Sequence, residues 1–377
     1  MLKRLLLLLV SGWGLPVFAA TVSTVDRDAV EVDSIAIAGG KVVGGALDGT
    51  PAADLVQVVL SAPLGTAPQR PVEVRLVGGD LLWGSLGEGG ADGLLLDTPA
   101  LGTRTIRLQH VQSIVFAERL AGAALAALQD RLAADRAGMD HDLCYLAGGD
   151  RVRFYLRAVD AHGVKGEDDD ARPYAFPLAD VAALSLMSTA PPAAADGLRA
   201  RLATREGDVL VGTLLSVQDG KVALEHPLLG ALSVPLEQCA SLDILNGRVR
   251  SLSELEPIEV VEHPYLFDPS RPIEEAAVFR YRKDRQVVDG RPLSIRGRRY
   301  ARGIGAHAYA ELGFALDGAY DRFRSDVGID DSAGGGGNAE IVVKVDGKER
   351  FRARLTGRDP PQQLVLADAD HLGHLGE

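Results

Sequence analysis

The chain has 377 residues, 46% of them hydrophobic, with a formal net charge of −12. That length exceeds one ordinary core and points to several domains, while the hydrophobic content excludes a mainly disordered protein. The acidity excludes the concentrated basic surface that nucleic acid requires, and aromatic residues at 5% are sparse for extensive stacking on sugars.

At the N-terminus, Lys3 and Arg4 precede a leucine run, and Val17-Phe18-Ala19 supplies small or modest side chains where an export signal is cut. Cleavage is expected after Ala19 or Ala20, making residues 1–20 a signal peptide. Gly12, Gly14 and Pro16 interrupt the apolar run well short of the roughly 20 residues that a membrane span needs. No later stretch reaches that length, so a secreted, periplasmic or cell-envelope protein without a transmembrane segment is expected. Cys144 and Cys239 are too few for a disulfide framework or a cysteine zinc site, and read as two isolated buried thiols, with a single disulfide between them as the alternative in an oxidising compartment.

Residues 21–116 read as a β-rich N-terminal region. Its first part alternates apolar and polar residues, as over 30–37 and 55–60, the period of half-buried strands. A five-strand unit then begins at Val72: a strand, a Gly78-Gly79-Asp80 turn, a second strand containing Gly84, and three short strands ending near Phe116. The pattern recurs over 143–187, with Gly148-Gly149-Asp150, and over 198–246, with Gly207-Asp208. Internal glycines permit the bends that close a small sheet. Each unit is therefore expected to be a small SH3-like or Sm-like barrel, or part of a shared sandwich. Residues 117–137 form the one predicted helix, with Leu120, Leu125, Leu128 and Leu132 on one stripe. Residues 188–197 are a Pro/Ala linker.

The last domain is expected over 258–377. Residues 339–345 and 349–355 alternate around Asp346-Gly347, a strong hairpin signal. Gly334 to Gly337 read as a mobile or tightly turning loop, and the chain's Tyr and Phe residues are concentrated beyond residue 260. Three phrases stand in order: Gly303-Ile-Gly-Ala-His307 after a lead-in ending at Tyr300, Asp330-Asp331 after an aromatic block, and the Asp346-Gly347-Lys348 hairpin. Together they resemble the NPCBM family of carbohydrate-binding modules. The resemblance covers the C-terminal third and implies a discoidin-like jelly-roll β-sandwich. Family members continue past the position of Leu366 into a further strand with Asp and Trp, whereas this chain closes on residues 367–377, so the module reads as truncated, its last strands missing or replaced.

The chain is thus read as all-β: small barrel repeats with one interposed helix, then the sandwich. Sugar recognition needs an aromatic face and charged or bidentate hydrogen bonds for hydroxyls, and the candidates are Tyr300, Arg302, His307, Tyr309, Asp330, Asp331 and Asn338. The adjacent carboxylates beside a glycine loop make calcium the candidate cofactor. The chain carries no Gly-x-Ser-x-Gly elbow, His-Glu-x-x-His or P-loop, and Glu167-Asp-Asp-Asp170 reads as a solvated loop, so no catalytic residue is assigned. The function expected is non-catalytic binding of a glycan or polysaccharide. The alternative is a structural envelope protein that binds other envelope proteins and whose sandwich lacks a working sugar site.

Overall fold

The computed structural model describes residues 19–27, 30–60, 71–88, 93–117, 123–136, 138–188, 196–263, 280–287, 293–300 and 302–372. Residues 1–18 of the expected export signal, Leu120, most of the Pro/Ala linker and much of the lead-in before Tyr300 lie outside the described residues. The protein is mostly β, and it divides into two compact units, Met1–Val249 and Arg250–Glu377.

The N-terminal unit contains β1 (Ala20–Thr24), β2 (Val30–Val32), β3 (Ile37–Ala38), β4 (Lys41–Val42) and β5 (Leu55–Leu60), then β6 (Val72–Leu76), β7 (Leu81–Leu86), β8 (Leu94–Thr98), β9 (Gly102–Ile106) and β10 (Val111–Val115). After helix α1 (Ala123–Arg136) come β11 (Asp142–Leu146), β12 (Arg151–Asp160), β13 (Gly163–Glu167), β14 (Pro173–Pro177) and β15 (Val181–Ser185). The set closes with β16 (Arg199–Thr204), β17 (Val209–Gln218), β18 (Lys221–His226), β19 (Gly230–Pro235) and β20 (Cys239–Ile244). Alternation drives these strands: β16 buries every second residue, as does β1.

In each of the three expected units, strands one to four form an antiparallel meander, and the fifth returns to pair with the first. A short 3-10 turn always precedes the fifth strand. Residues 20–60 repeat the plan in reduced form: β1 pairs with β5, and the 3-10 turn Ala52–Asp54 leads into β5. One backbone hydrogen bond identifies all four copies. The amide just after the first strand donates to the last residue of the 3-10 turn, as Val25 to Asp54, Val77 to His110, Ala147 to Asp180 and Arg205 to Gln238, at 2.9, 2.9, 2.8 and 2.8 Å.

The copies share one core, to which Val22, Val74, Phe154 and Leu202 each contribute from a different copy. They are joined by their fifth strands. In the seam between the second and third copies Ile114 faces Leu184, and in that between the first and fourth Val58 faces Leu242. These four residues hold the same place in their strands, so both seams have the same local two-fold register. Helix α1 covers the outer face of one seam, where Leu125, Leu128 and Leu132 pack on Val115, Leu143, Tyr145 and Ala183.

A third junction joins the second and fourth copies through the aspartates of their Gly-Asp turns. Asp80 Oδ1 accepts the Val211 amide at 2.7 Å, and Asp208 Oδ1 accepts the Trp83 amide at 2.7 Å. Each amide lies three residues beyond the partner's aspartate, another two-fold arrangement. Asp208 is 0% exposed, and its Oδ2 takes the Thr204 hydroxyl at 2.8 Å. His226, also buried, accepts the Leu228 and Leu229 amides at Nδ1 and turns Nε2 towards Asp80 Oδ2 at 3.4 Å. These charges are buried because hydrogen-bond donors surround them. Cys144 and Cys239 are free and buried in the same core, and burial pushes both thiols up to about 12.

The C-terminal unit consists of antiparallel pairs: β21 (Glu259–Glu262) with β26 (Ala310–Gly313), β22 (Arg282–Lys283) with β25 (Ile304–Gly305), β23 (Leu293–Ile295) with β24 (Arg298–Tyr300), β27 (Tyr320–Val327) with β30 (Gln362–Leu372), and β28 (Asn338–Val345) with β29 (Lys348–Thr356). Asp346 and Gly347, at φ 50 and 72°, form the predicted tight turn between β28 and β29. The glycine run winds into 3-10 turns over Asp331–Gly336, capped by Asp330. Strand β30 reaches Leu372, six residues beyond the point where the family's strand pattern was expected to fail, and Leu372 pairs with Tyr320. Val287, Leu293, Leu355 and Leu364 are buried apolar residues among those described in this unit.

Candidate functional site

The Asp330-Asp331 pair grips a hairpin. Asp330 accepts the Ser294 and Ser332 amides, and Asp331 accepts those of Arg296 and Gly297, all at 2.8 to 2.9 Å. Arg296 and Gly297 have φ 52 and 80°, which aims the β23–β24 turn's amides at the Asp331 carboxylate. The Gly297 N–H foremost holds that carboxyl below its usual range. All four carboxylate oxygens of the calcium candidate are thus engaged by backbone donors. Among the described residues no group of three or more His, Cys, Asp or Glu side chains forms a metal-ligating array.

Two other candidates face inward. Tyr300 lies beneath the Arg298 guanidinium, 5.1 Å from its ring centre, and Arg298 pairs with Asp326 at 3.0 Å. Burial first, then the Asp326 charge, pushes the phenol up to about 12. Arg302 is paired with Glu254, each 18% exposed. Asn338 stands at the exposed start of β28, where its Oδ1 accepts from Arg354 Nε at 3.2 Å. His307 is half-buried, its Nδ1 3.0 Å from the Ala308 carbonyl.

Tyr309 is the candidate that the structure displays. It is 44% exposed and extends the β21–β26 ladder by pairing with His263 through both backbone bonds, at 2.9 and 3.2 Å. In this register Val261, His263, Tyr309 and Glu311 share one face. The His263 and Tyr309 rings stack with centres 6.1 Å apart, tilted by 21°. The Tyr309 hydroxyl donates to Glu311 at 2.8 Å, and Lys344 of β28 reaches the same carboxylate at 3.3 Å. Tyr309 first and then Lys344 hold the Glu311 carboxyl below its usual range. The result is an exposed pair of aromatic rings bordered by a fixed carboxylate and an ammonium. His263, Glu311 and Lys344 carry no motif of their own. What could have found them is the alternation around Val261 and Glu311, once the two strands are paired.

The N-terminal unit has a separate charged cluster at the acidic run. His141 Nδ1 lies 2.9 Å from Asp140 and Nε2 lies 2.9 Å from Asp169, while Arg153 pairs with Asp140 at 3.0 Å and Tyr155 donates to Asp169 at 3.1 Å. Asp140 foremost, then Asp169, raises the imidazole above its ordinary value of 6.5, against the opposing charge of Arg153. A raised folded-state value means that this contact stabilises fully below about pH 6.5 and is lost as pH rises through the folded value. In an NMR titration His141 is expected to titrate above an exposed histidine, and Asp169→Asn to bring it down; an unchanged midpoint would refute the pairing. The narrow gap between the first and fourth copies is lined by apolar side chains such as Ile37, Val58, Val217 and Leu242, which offer a sugar no hydrogen bond.

Residues 270–371, the C-terminal part of the chain, match the NPCBM/NEW2 domain. That span includes Tyr309, Glu311 and Lys344 and begins after His263. No curated protein and no solved structure matches the chain.

Proposed function

We propose that the protein is an exported, non-catalytic carbohydrate-binding protein of the cell envelope or its surroundings, whose C-terminal unit holds a glycan against Tyr309 and His263. The observation that carries this reading is the exposed Tyr309 ring, fixed by Glu311 within the span matching the NPCBM/NEW2 domain. A sugar's C–H face would lie on the rings, with its hydroxyls bonded to Glu311, Lys344 and the edge of His263. Side chains already held in place lose little freedom on binding.

In the same reading, the C-terminal ladders belong to a jelly-roll sandwich. The four N-terminal copies are small barrel-like modules fused through their fifth strands, serving as a spacer or as a surface for other envelope proteins. No calcium is assigned in this reading, in which the Asp330-Asp331 carboxylates hold the amides of the hairpin. The test is a glycan array probed with the full chain and with Tyr309→Ala. Loss of a central aromatic contact is expected to cost on the order of 2 kcal/mol, about 30-fold in affinity. Equal binding by the variant would overturn the assignment of the site. Retention of envelope proteins with no glycan bound would favour a protein-interaction role.

A further inference from the structure

We infer a second sugar subsite on the outward face of the β28–β29 hairpin, continuous with the Tyr309 surface, so that the ligand is an internal stretch of a neutral linear polysaccharide. This rests on the glycan-binding reading above and extends it. The two surfaces meet at the Lys344–Glu311 pair, where β28 touches the face carrying Tyr309. From Lys344 the outward residues of β28 run through Val342 and Glu340 to Asn338, and those of β29 facing them include Arg352 and Arg354. Six residue steps of strand cover about 20 Å, much longer than a single sugar ring.

The chemistry along this strip suits hydroxyl groups. Arg352 is held flat by two carboxylates: Glu349 takes Nε at 2.9 Å and Nη2 at 2.6 Å, and Glu340 takes Nη1 at 2.6 Å. All three side chains are about half exposed, at 48, 43 and 53%. Along the whole strip Lys344, Arg352 and Arg354 stand against Glu311, Glu340 and Glu349, so the charges balance there, while planar donors and carboxylate oxygens stay at the surface in a fixed array. Such an array matches the paired hydroxyls of an uncharged sugar. An anionic polymer would instead face the carboxylates Glu311, Glu340 and Glu349. The next pair, Asn338 with Arg354, adds an amide and a guanidinium fixed at 3.2 Å. A pocket for one terminal sugar would close around its ligand, whereas this strip is open along its length.

Affinity electrophoresis of the full chain through gels containing galactomannan, xyloglucan or mixed-linkage β-glucan tests the inference, with the constituent monosaccharides as competitors. At least one polymer is expected to retard the protein, and its monosaccharides to compete poorly. Glu340→Gln with Arg352→Gln is expected to weaken retardation about tenfold, and Arg352→Lys to give most of that loss, because charge survives while the planar fork does not. Thermal melting identifies any variant that is merely unfolded, and Arg352→Lys keeps the test open in that case. Retardation of folded variants equal to the parent protein overturns the subsite and leaves the Tyr309 reading standing, as does competition by monosaccharides as strong as by polymer. Absence of retardation in all three gels overturns both.

Discussion

Asp208→Ala is expected to lower the stability of the N-terminal unit by about 3 kcal/mol or more, because it removes two hydrogen bonds to a charged group, each contributing roughly 1.5–3 kcal/mol. The carboxylate is fully buried between the Trp83 amide and the Thr204 hydroxyl, and alanine would leave that amide inside the protein without an acceptor. The chain supplies its own control. Asp150 has the same place in the third copy's turn, but it is exposed, so Asp150→Ala is expected to change stability by no more than about 0.5 kcal/mol. Urea denaturation followed by tryptophan fluorescence measures both. Similar losses at the two positions would show that the turn, and not the junction between copies, needs the aspartate.

Gly84→Ala should cost roughly 1–3 kcal/mol, the range for forcing extra atoms into a packed interior. A Cβ at this position would sit 2.3 Å from the Asp97 carbonyl oxygen, so β8 would have to move away from β7. Gly212 repeats the relation in the fourth copy, 2.7 Å from the Glu225 carbonyl oxygen. The third copy solves the same crossing the other way round. Phe154 takes the glycine's place, and Gly166 on β13 makes room for its ring, since a Cβ there would come within 2.3 Å of it. Gly148→Ala is the matching control, in a turn with open space around it. A destabilisation at Gly148 equal to that at Gly84 would refute the close-approach account.

Three of the four copies were legible because Gly-Asp turns and internal glycines mark them locally. The first was read only as alternating strands. Its turn, Val25-Asp26-Arg27, lacks the Gly-Asp pair; β2 and β3 together stand for the second strand and β4 for the third, and a 3-10 turn over Gly45–Leu47 takes the place of the fourth. Its fifth strand still carried a signal, since Pro51-Ala-Ala-Asp-Leu55 echoes Pro177-Leu-Ala-Asp-Val181. Whether the units are separate barrels or share a core stayed open in the sequence, because fifth-strand pairing joins residues far apart in the chain. The same limit governs the site. Adjacent aspartates look alike whether their oxygens are free or bound to amides, and the donors at Ser294, Arg296 and Gly297 lie more than 30 residues away. Tyr309 is a candidate from its motif, whereas the pairing that sets His263 beside it follows only from the register.

The two fifth-strand seams are nested along the chain like brackets, the second copy with the third inside, the first with the fourth outside. During synthesis, the inner seam is available once residue 185 has been made, but β5 meets no partner for its outer edge until β20 exists. The earliest strands to appear must therefore hold an open row of N–H and C=O groups while nearly two hundred residues are added, so the portion of the molecule made first is among the last to be closed.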